Sequence, residues 1–275
     1  MLTILLHTSK TMRSVKEVPV IPLQQPILLD SAKVLASYLR TLDTPQIAKI
    51  MQISPALAEK TRKTIEDWSI DAKNVLPALD IFLGDIYSGL QVQTFSAQDR
   101  SYANKHLFIL SGLYGVLRAL DTILPYRLEM GYKLPGNTHD KGQLDVTSLY
   151  DFWGDTIARQ LPADQPIINL SAKEYTKAVF PYVKHIDGLS NVPIISPKFL
   201  TRSPKTGEPV FVTVHAKIAR GAFARWLIRN RIEDTKDIIQ FKELGYSYVK
   251  TLSTVDEPVF VADQFKGLGL SVRLT

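Results

Sequence analysis

The sequence predicts an α/β fold of the mixed (α+β) kind: a single domain over residues 1–275, with a mixed β-sheet core wrapped by helices. Three observations predict it. Short apolar runs with strand character alternate irregularly with longer runs of helical periodicity, without the regular rhythm of a doubly wound sheet. Apolar residues make up 45% and charged residues 22% of 275 positions, enough to bury a large core without staples. No internal repeat and no low-complexity linker divides the chain.

The opening run 2–6 is apolar apart from Thr3 and reads as a buried strand, and 18–26 is a proline-rich extended loop. Val34, Leu35, Tyr38, Leu39 and Leu42 recur at helical spacing and predict a helix over 31–42. Thr44-Pro45 and Ser54-Pro55 are two helix starts only ten residues apart, so 46–51 is a short helix and 56–67 a second one. Ser96 and Asp99 have the spacing of a capping box and open another helix. A strand over 107–110 enters a glycine-containing turn at 111–115. Residues 135–141 form a polar loop, and 149–161 one amphipathic helix with Leu149, Phe152, Trp153, Ile157 and Leu161 on one side. A strand over 166–170 is followed by a helix that Ser171 and Glu174 cap. Strands at 192–195 and 210–214 flank a turn at 204–207, a helix covers 216–232, and the tail from Tyr246 is short strands and turns.

Composition excludes several chemistries. There is no cysteine, hence no disulfide, thiolate metal site or peroxidatic thiol. The five histidines are scattered without metal-ligand spacing, and Walker, GxGxxG and GxSxG motifs are absent. No metal and no cofactor is therefore expected. The apolar start lacks a basic n-region and no run reaches transmembrane length, so a cytoplasmic protein with no membrane partner is expected.

The net charge is +6 and the isoelectric point about 9.3. Between residues 198 and 231 stand eight lysines and arginines and a single acid, Glu208, a field that attracts phosphate. Two elements suit such a partner. The first is the segment 45–66, two short helices joined by a tight turn, which reads either as an ordinary helical corner or as a helix-hairpin-helix-like element. In the second reading Ile47, Ile50, Ile53 and Ala58 take the apolar and small positions, while Gln52 and Ser54 stand where that motif carries glycine. Lys60, Arg62 and Lys63 follow and are placed to grip a neighbouring phosphate. The second element is the helix 216–232. Its apolar stripe, Ala219, Ala222, Phe223, Trp226 and Leu227, is flanked on one side by Lys217, Arg220 and Arg231 and nearer the other by Arg225 and Arg229. A core helix whose arginines snorkel to acids elsewhere is the competing reading.

A different site is suggested by polar groups just beyond strand ends, which in α/β proteins converge on pockets. Lys10, Arg118, Arg127, Glu129, Asn169, Ser171 and Lys217 hold such positions and together would make a pocket for a small anionic ligand, with Glu129 as an acid or base. Capping and structural ion pairs are the competing account of these residues.

Several blocks together resemble the YaaA family of bacterial peroxide-stress-resistance proteins. They are LSGLYGVLRALDTILPYRLEMG from Leu110, LYDFWGDTIARQL from Leu149, IINLSAKEYTKAV from Ile167 and AKIARGAFARWLIRNRI from Ala216, with FLGDIYSGLQVQTF from Phe82 and the pair Tyr246 and Tyr248. The resemblance spans nearly the whole chain, in order. One turn departs from it: after the first strand the family usually reads Ser-Pro-Ala-Lys-Thr, and here His7, Thr8 and Ser9 precede Lys10 and Thr11. The resemblance implies a cytoplasmic bacterial protein that aids survival of hydrogen peroxide by limiting free iron. It also implies an α/β unit with a basic cleft and a helix-hairpin-helix that binds duplex and branched DNA. Three functions follow as alternatives. One is backbone-directed DNA binding through Gln52, Ser54, Lys60, Arg62, Lys63, Lys217, Arg220, Arg225 and Arg229. The second is an enzyme acting on a nucleotide or other small anion in the strand-end pocket. The third is a basic surface that meets an acidic protein.

Overall fold

The computed structural model describes residues 1–13, 24–69, 71–72, 75–134 and 146–267. In chain order its elements are β1 (Thr3–His7), α1 (Leu29–Arg40), α2 (Thr44–Met51), α3 (Pro55–Asp67), β2 (Leu76–Pro77), α4 (Ala78–Ile81), α5 (Asp85–Leu90), α6 (Ala97–His106), β3 (Leu107–Ser111), β4 (Gly115–Arg118) and β5 (Thr122–Ile123). There follow α7 (Leu149–Trp153), β6 (Ile167–Asn169), α8 (Lys173–Thr176), α9 (Phe180–Val183), β7 (Ile194–Ile195), β8 (Lys198–Arg202), β9 (Pro209–Val210), α10 (Thr213–Arg229), β10 (Tyr246–Tyr248) and β11 (Val259–Ala262). The expected loop at 135–141, and most of the one at 18–26, lie outside the described residues.

The mixed sheet expected from the irregular alternation is present. Five strands run in the order β4-β3-β1-β6-β7; β1 is parallel to both β3 and β6, and β4 alone is antiparallel. Ile4, Leu5 and Leu6 of β1 and Leu2 just before it are almost wholly buried, as are all five residues of β3, which is why both read as apolar runs rather than alternating ones. A second sheet, β10-β11-β8-β9, stacks on α10 through an aromatic cluster. Phe199 of β8, Phe223 of α10, Phe241 and Phe260 of β11 meet with ring centroids 4.9–6.1 Å apart. One continuous apolar core joins residues from Leu2 to Ala262.

The helix starts obey the local signals closely. At α2 the cap is Asp43, one residue before the expected Thr44, and its carboxylate accepts from the Gln46 amide while the Gln46 side chain accepts from Asp43. Ser54 caps α3 and Ser96 and Asp99 form the expected box on α6. Three expectations need correction. The amphipathic stretch 149–161 is not one helix: α7 ends at Trp153, Gly154 takes a positive φ of 47°, and a 3-10 turn follows at Ala158–Gln160. The strand expected at 210–214 stops at Val210 because α10 already begins at Thr213, and the strand paired with it across the turn is β8, not 192–195. Ser171 and Glu174 do not cap α8: the cap residue is Ala172, without a side-chain bond, and both side chains are left for other work.

Candidate functional site

The three parallel strands β1, β3 and β6 end at one edge of the sheet, at His7, Ser111 and Asn169. Chain leaving such an edge must turn, and its polar groups gather outside the sheet. The turn after β1, the turn after β6, the first residues of α5, the segment around Glu129 and one side chain of α10, Lys217, enclose a cleft of about 370 Å³.

Two close backbone approaches shape it. Gly112, just past β3, lies so near the Leu128 carbonyl that a Cβ would stand 2.3 Å from its oxygen, which holds the 128–129 segment over the strand end. Helices α5 and α10 cross through a reciprocal pair of glycines. A Cβ on Gly89 would stand 2.0 Å from the Ile218 oxygen, and one on Gly221 1.8 Å from the Ile86 oxygen. That crossing sets Lys217 and Arg220, the turn before Gly221, beside the end of β1.

Within the cleft His7 stacks on Tyr175, with centroids 4.9 Å apart, and its Nδ1 accepts from the Ala172 amide at 3.1 Å. The ring proton therefore sits on Nε2. Burial first, then the charges of Arg220 and Lys217, hold the imidazole down to a pKa of about 3, so it is neutral at physiological pH. Lys10 Nζ lies 2.9 Å from Glu129 Oε2, and this bond raises the lysine above its ordinary value. The Tyr175 hydroxyl is 3.1 Å from Thr8 Oγ1, and burial, then the charge of Glu129, push its pKa upward. Glu174 Oε1 accepts from the Gly131 amide at 2.8 Å. Asn169 braces the turn behind the cleft: its Oδ1 accepts from the Ser171 amide and its Nδ2 donates to Ser196 Oγ.

Of the strand-end residues expected to converge, Lys10, Glu129 and Lys217 line this cleft; Asn169 and Ser171 stand behind it, next to Ala172, which lines it; and Arg127 does not line it, though its charge reaches Lys10 and it bonds Tyr132. Arg118 does not join them. It closes the antiparallel strand β4, opposite Phe108 near the start of β3, so it faces the other edge of the sheet. There its guanidinium donates to Asp121, fully buried, and to the Gln25 carbonyl. Sequence reasoning missed Tyr175 and gave Thr8 no role, because their meeting spans 167 positions and has no local signature.

The expected DNA contacts divide. Gln52, Ser54, Lys60 and Lys63 are exposed at the α2–α3 hairpin, and Arg229 is exposed in the last turn of α10. Lys63 is 3.6 Å from Asp67, a loose surface pair. Arg62 is committed to the fold: it pairs with Glu66 at 3.0 Å and donates to the Leu42 carbonyl at 2.7 Å. Lys217 and Arg220 turn toward His7. Arg225 is corrected outright. It is 8% exposed, donates to the Gly89 carbonyl at 2.9 Å and pairs with Glu243, so it serves the α5–α10 crossing and no outside partner. Replacing Arg225 with Ala is expected to cost about 2–3 kcal/mol by stranding that carbonyl and Glu243, read as a lower urea midpoint.

Among the described residues no His, Asp and Glu side chains form a metal-holding group, and no helix is long and apolar enough to cross a membrane. The family model described as peroxide stress protein YaaA matches residues 2–252. A UPF0246 protein of Salinispora tropica is 49% identical over 270 residues, covering 98% of this chain and 97% of the relative.

Proposed function

Since the chain belongs to the YaaA family of peroxide stress proteins, its part lies in the response to peroxide, and we propose that it plays that part as a DNA-binding protein directed at the backbone of duplex or branched DNA. The observation that carries this is the exposed tip of the α2–α3 hairpin, held between two helices that are each capped at their own start. Gln52 adopts the left-handed conformation, φ 51° and ψ 52°, and so reverses the chain without the glycine that the motif usually carries. Residues 54–57 are exposed along the start of α3. Ser54 already occupies the Leu57 amide and the Ala58 amide, and Pro55 has none, which leaves the Ala56 amide to meet a phosphate. Gln52 and Ser54 add side-chain groups, and Lys60 stands one turn further along, exposed.

Charge plays a smaller part than composition alone suggested. Residues 43–67 contain Lys49, Lys60, Arg62 and Lys63 against Asp43, Glu59, Glu66 and Asp67. A balanced hairpin grips a few phosphates by shape and local donors. This reading requires a cytoplasmic protein with access to the chromosome, in keeping with a basic isoelectric point of about 9.3.

The test is a fluorescence-anisotropy titration on labelled linear duplex and four-way-junction DNA at several salt concentrations. A log–log salt slope of roughly −2 to −3 is expected, for two or three neutralised phosphates. Lys60→Glu is expected to weaken binding about tenfold and to flatten the slope by about one. Absence of binding at low salt, or an unchanged affinity in Lys60→Glu, removes the hairpin from the function.

A further inference from the structure

We propose that the strand-end cleft is a separate binding site for a small phosphate-bearing molecule, whose phosphate lies against Lys217 at the end of β1 with Arg220 behind it. The hairpin and its residues take no part in this site.

The cations come first. Among the described residues neither Lys217 nor Arg220 forms an ion pair, although Arg220 is half-buried, and a guanidinium taken out of water without a partner is costly. The carboxylates lining the same cleft are already engaged and do not fill the role. Glu129 is held by Lys10 at 2.9 Å, Glu174 accepts from the Gly131 amide at 2.8 Å, and Asp85 has a partner of its own. Lys217 thus faces the cleft without an ion-pair partner, with Arg220 behind it near His7, and an incoming anion supplies the missing counter-charge.

An unpartnered polar group beside the cleft is the second observation. Ser171 Oγ is buried without a hydrogen-bond partner, next to Ala172, which lines the cleft and holds His7. Since Ser171 does not cap α8, its hydroxyl has no structural duty. A buried hydroxyl left unmet is costly, and one beside an opening is accounted for by a ligand that reaches it.

The donor set selects phosphate. Lys217 from α10, the ring of His7 from β1, whose Nε2 carries the proton, and the hydroxyl of Ser9 from the following turn line the same space. That suits an anion with three or more acceptor oxygens better than a planar carboxylate. The volume, about 370 Å³, is that of a small-molecule pocket. The Lys10–Glu129 pair, which also lines the cleft, offers a donor and an acceptor to the rest of the ligand.

The experiment is a titration of the full chain with orthophosphate, and in parallel with acetate, followed by the side-chain NMR signals of the histidines. Orthophosphate is expected to shift the His7 ring signals saturably. Lys217→Ala is expected to weaken that binding at least about tenfold and Lys217→Arg to retain it, with circular dichroism showing both variants folded. Lys60→Glu is expected to leave it unchanged, so the cleft and the DNA reading fail separately. Three results overturn the proposal: no saturable shift with orthophosphate, equal binding of acetate, or unchanged binding in folded Lys217→Ala.

Discussion

Gly221→Ala is expected to destabilise the chain by at least about 4 kcal/mol, enough to lower the melting temperature by roughly 10 °C or more. The added methyl would stand 1.8 Å from the Ile86 carbonyl oxygen and 2.7 Å from the Leu90 amide nitrogen. Both are backbone atoms of α5, so no side chain can swing aside, and relief requires α10 and α5 to separate. Gly89→Ala, with its methyl 2.0 Å from the Ile218 oxygen, is expected to behave alike. Gly207→Ala is the control. It sits at φ 72° with nothing within 4 Å of its Cβ position and is expected to cost only about 1–2 kcal/mol. Thermal melts of the three variants decide the matter; an intact melting temperature in Gly221→Ala means that the helices do not cross this closely. The same separation moves Lys217 away from β1, so any folded fraction of Gly221→Ala is also expected to lose orthophosphate binding.

Acid is expected to weaken the fold well above the range where carboxylates titrate. The His7 imidazole takes a proton at its ordinary value of 6.5 when the chain is unfolded, but not until about 3 in the native state. Between those values the unfolded state binds the extra proton, so stability is lost as pH falls through the window from 6.5 to 3. Each pH unit inside it is worth at most about 1.4 kcal/mol, and partial exposure of the ring reduces this, giving roughly 1–2 kcal/mol between about pH 7 and pH 5. The groups responsible face the ring from three elements: Arg220 and Lys217 on α10, Tyr175 on α8 and Tyr87 of α5, whose hydroxyl donates to the His7 carbonyl. His106 and His215, also lowered by burial, act in the same direction. His7→Asn keeps an acceptor for the Ala172 amide and removes the titrating group. Urea unfolding at the two pH values is expected to show a smaller acid loss in this variant than in the parent. An equal loss in both would mean that His7 does not face this field.

Short-range chemistry was legible in the residue order wherever one turn of chain decides it. Asp43, Ser54 and Ser96 cap helices near where prolines and capping spacings announced them, and β1 and β3 follow from apolar runs that no other element suits. The same reasoning failed where a local pattern had a stronger distant competitor. Ser171 and Glu174 have capping-box spacing, yet Glu174 is drawn 43 positions away to the Gly131 amide, and the box never forms. The stretch 149–161 has a helical stripe, but a positive φ at Gly154 ends the helix there. Arg225 looked like a surface cation because its neighbours in sequence are basic; the carbonyl of Gly89 and the carboxylate of Glu243 that bury it lie 136 and 18 positions off.

By itself the sequence determined the class of fold, the absence of thiol chemistry and the family, because composition, apolar periodicity and long ordered blocks are properties of the chain read in one dimension. Only the tertiary structure decided which cations are free to bind. Lys217, Arg220, Arg225 and Arg229 are equal as letters, but the crossing of α10 over α5 buries one, leaves one in water and sets two against His7. A charge acquires its function from what surrounds it, and those surroundings here come from parallel strands whose ends meet across 165 positions of chain.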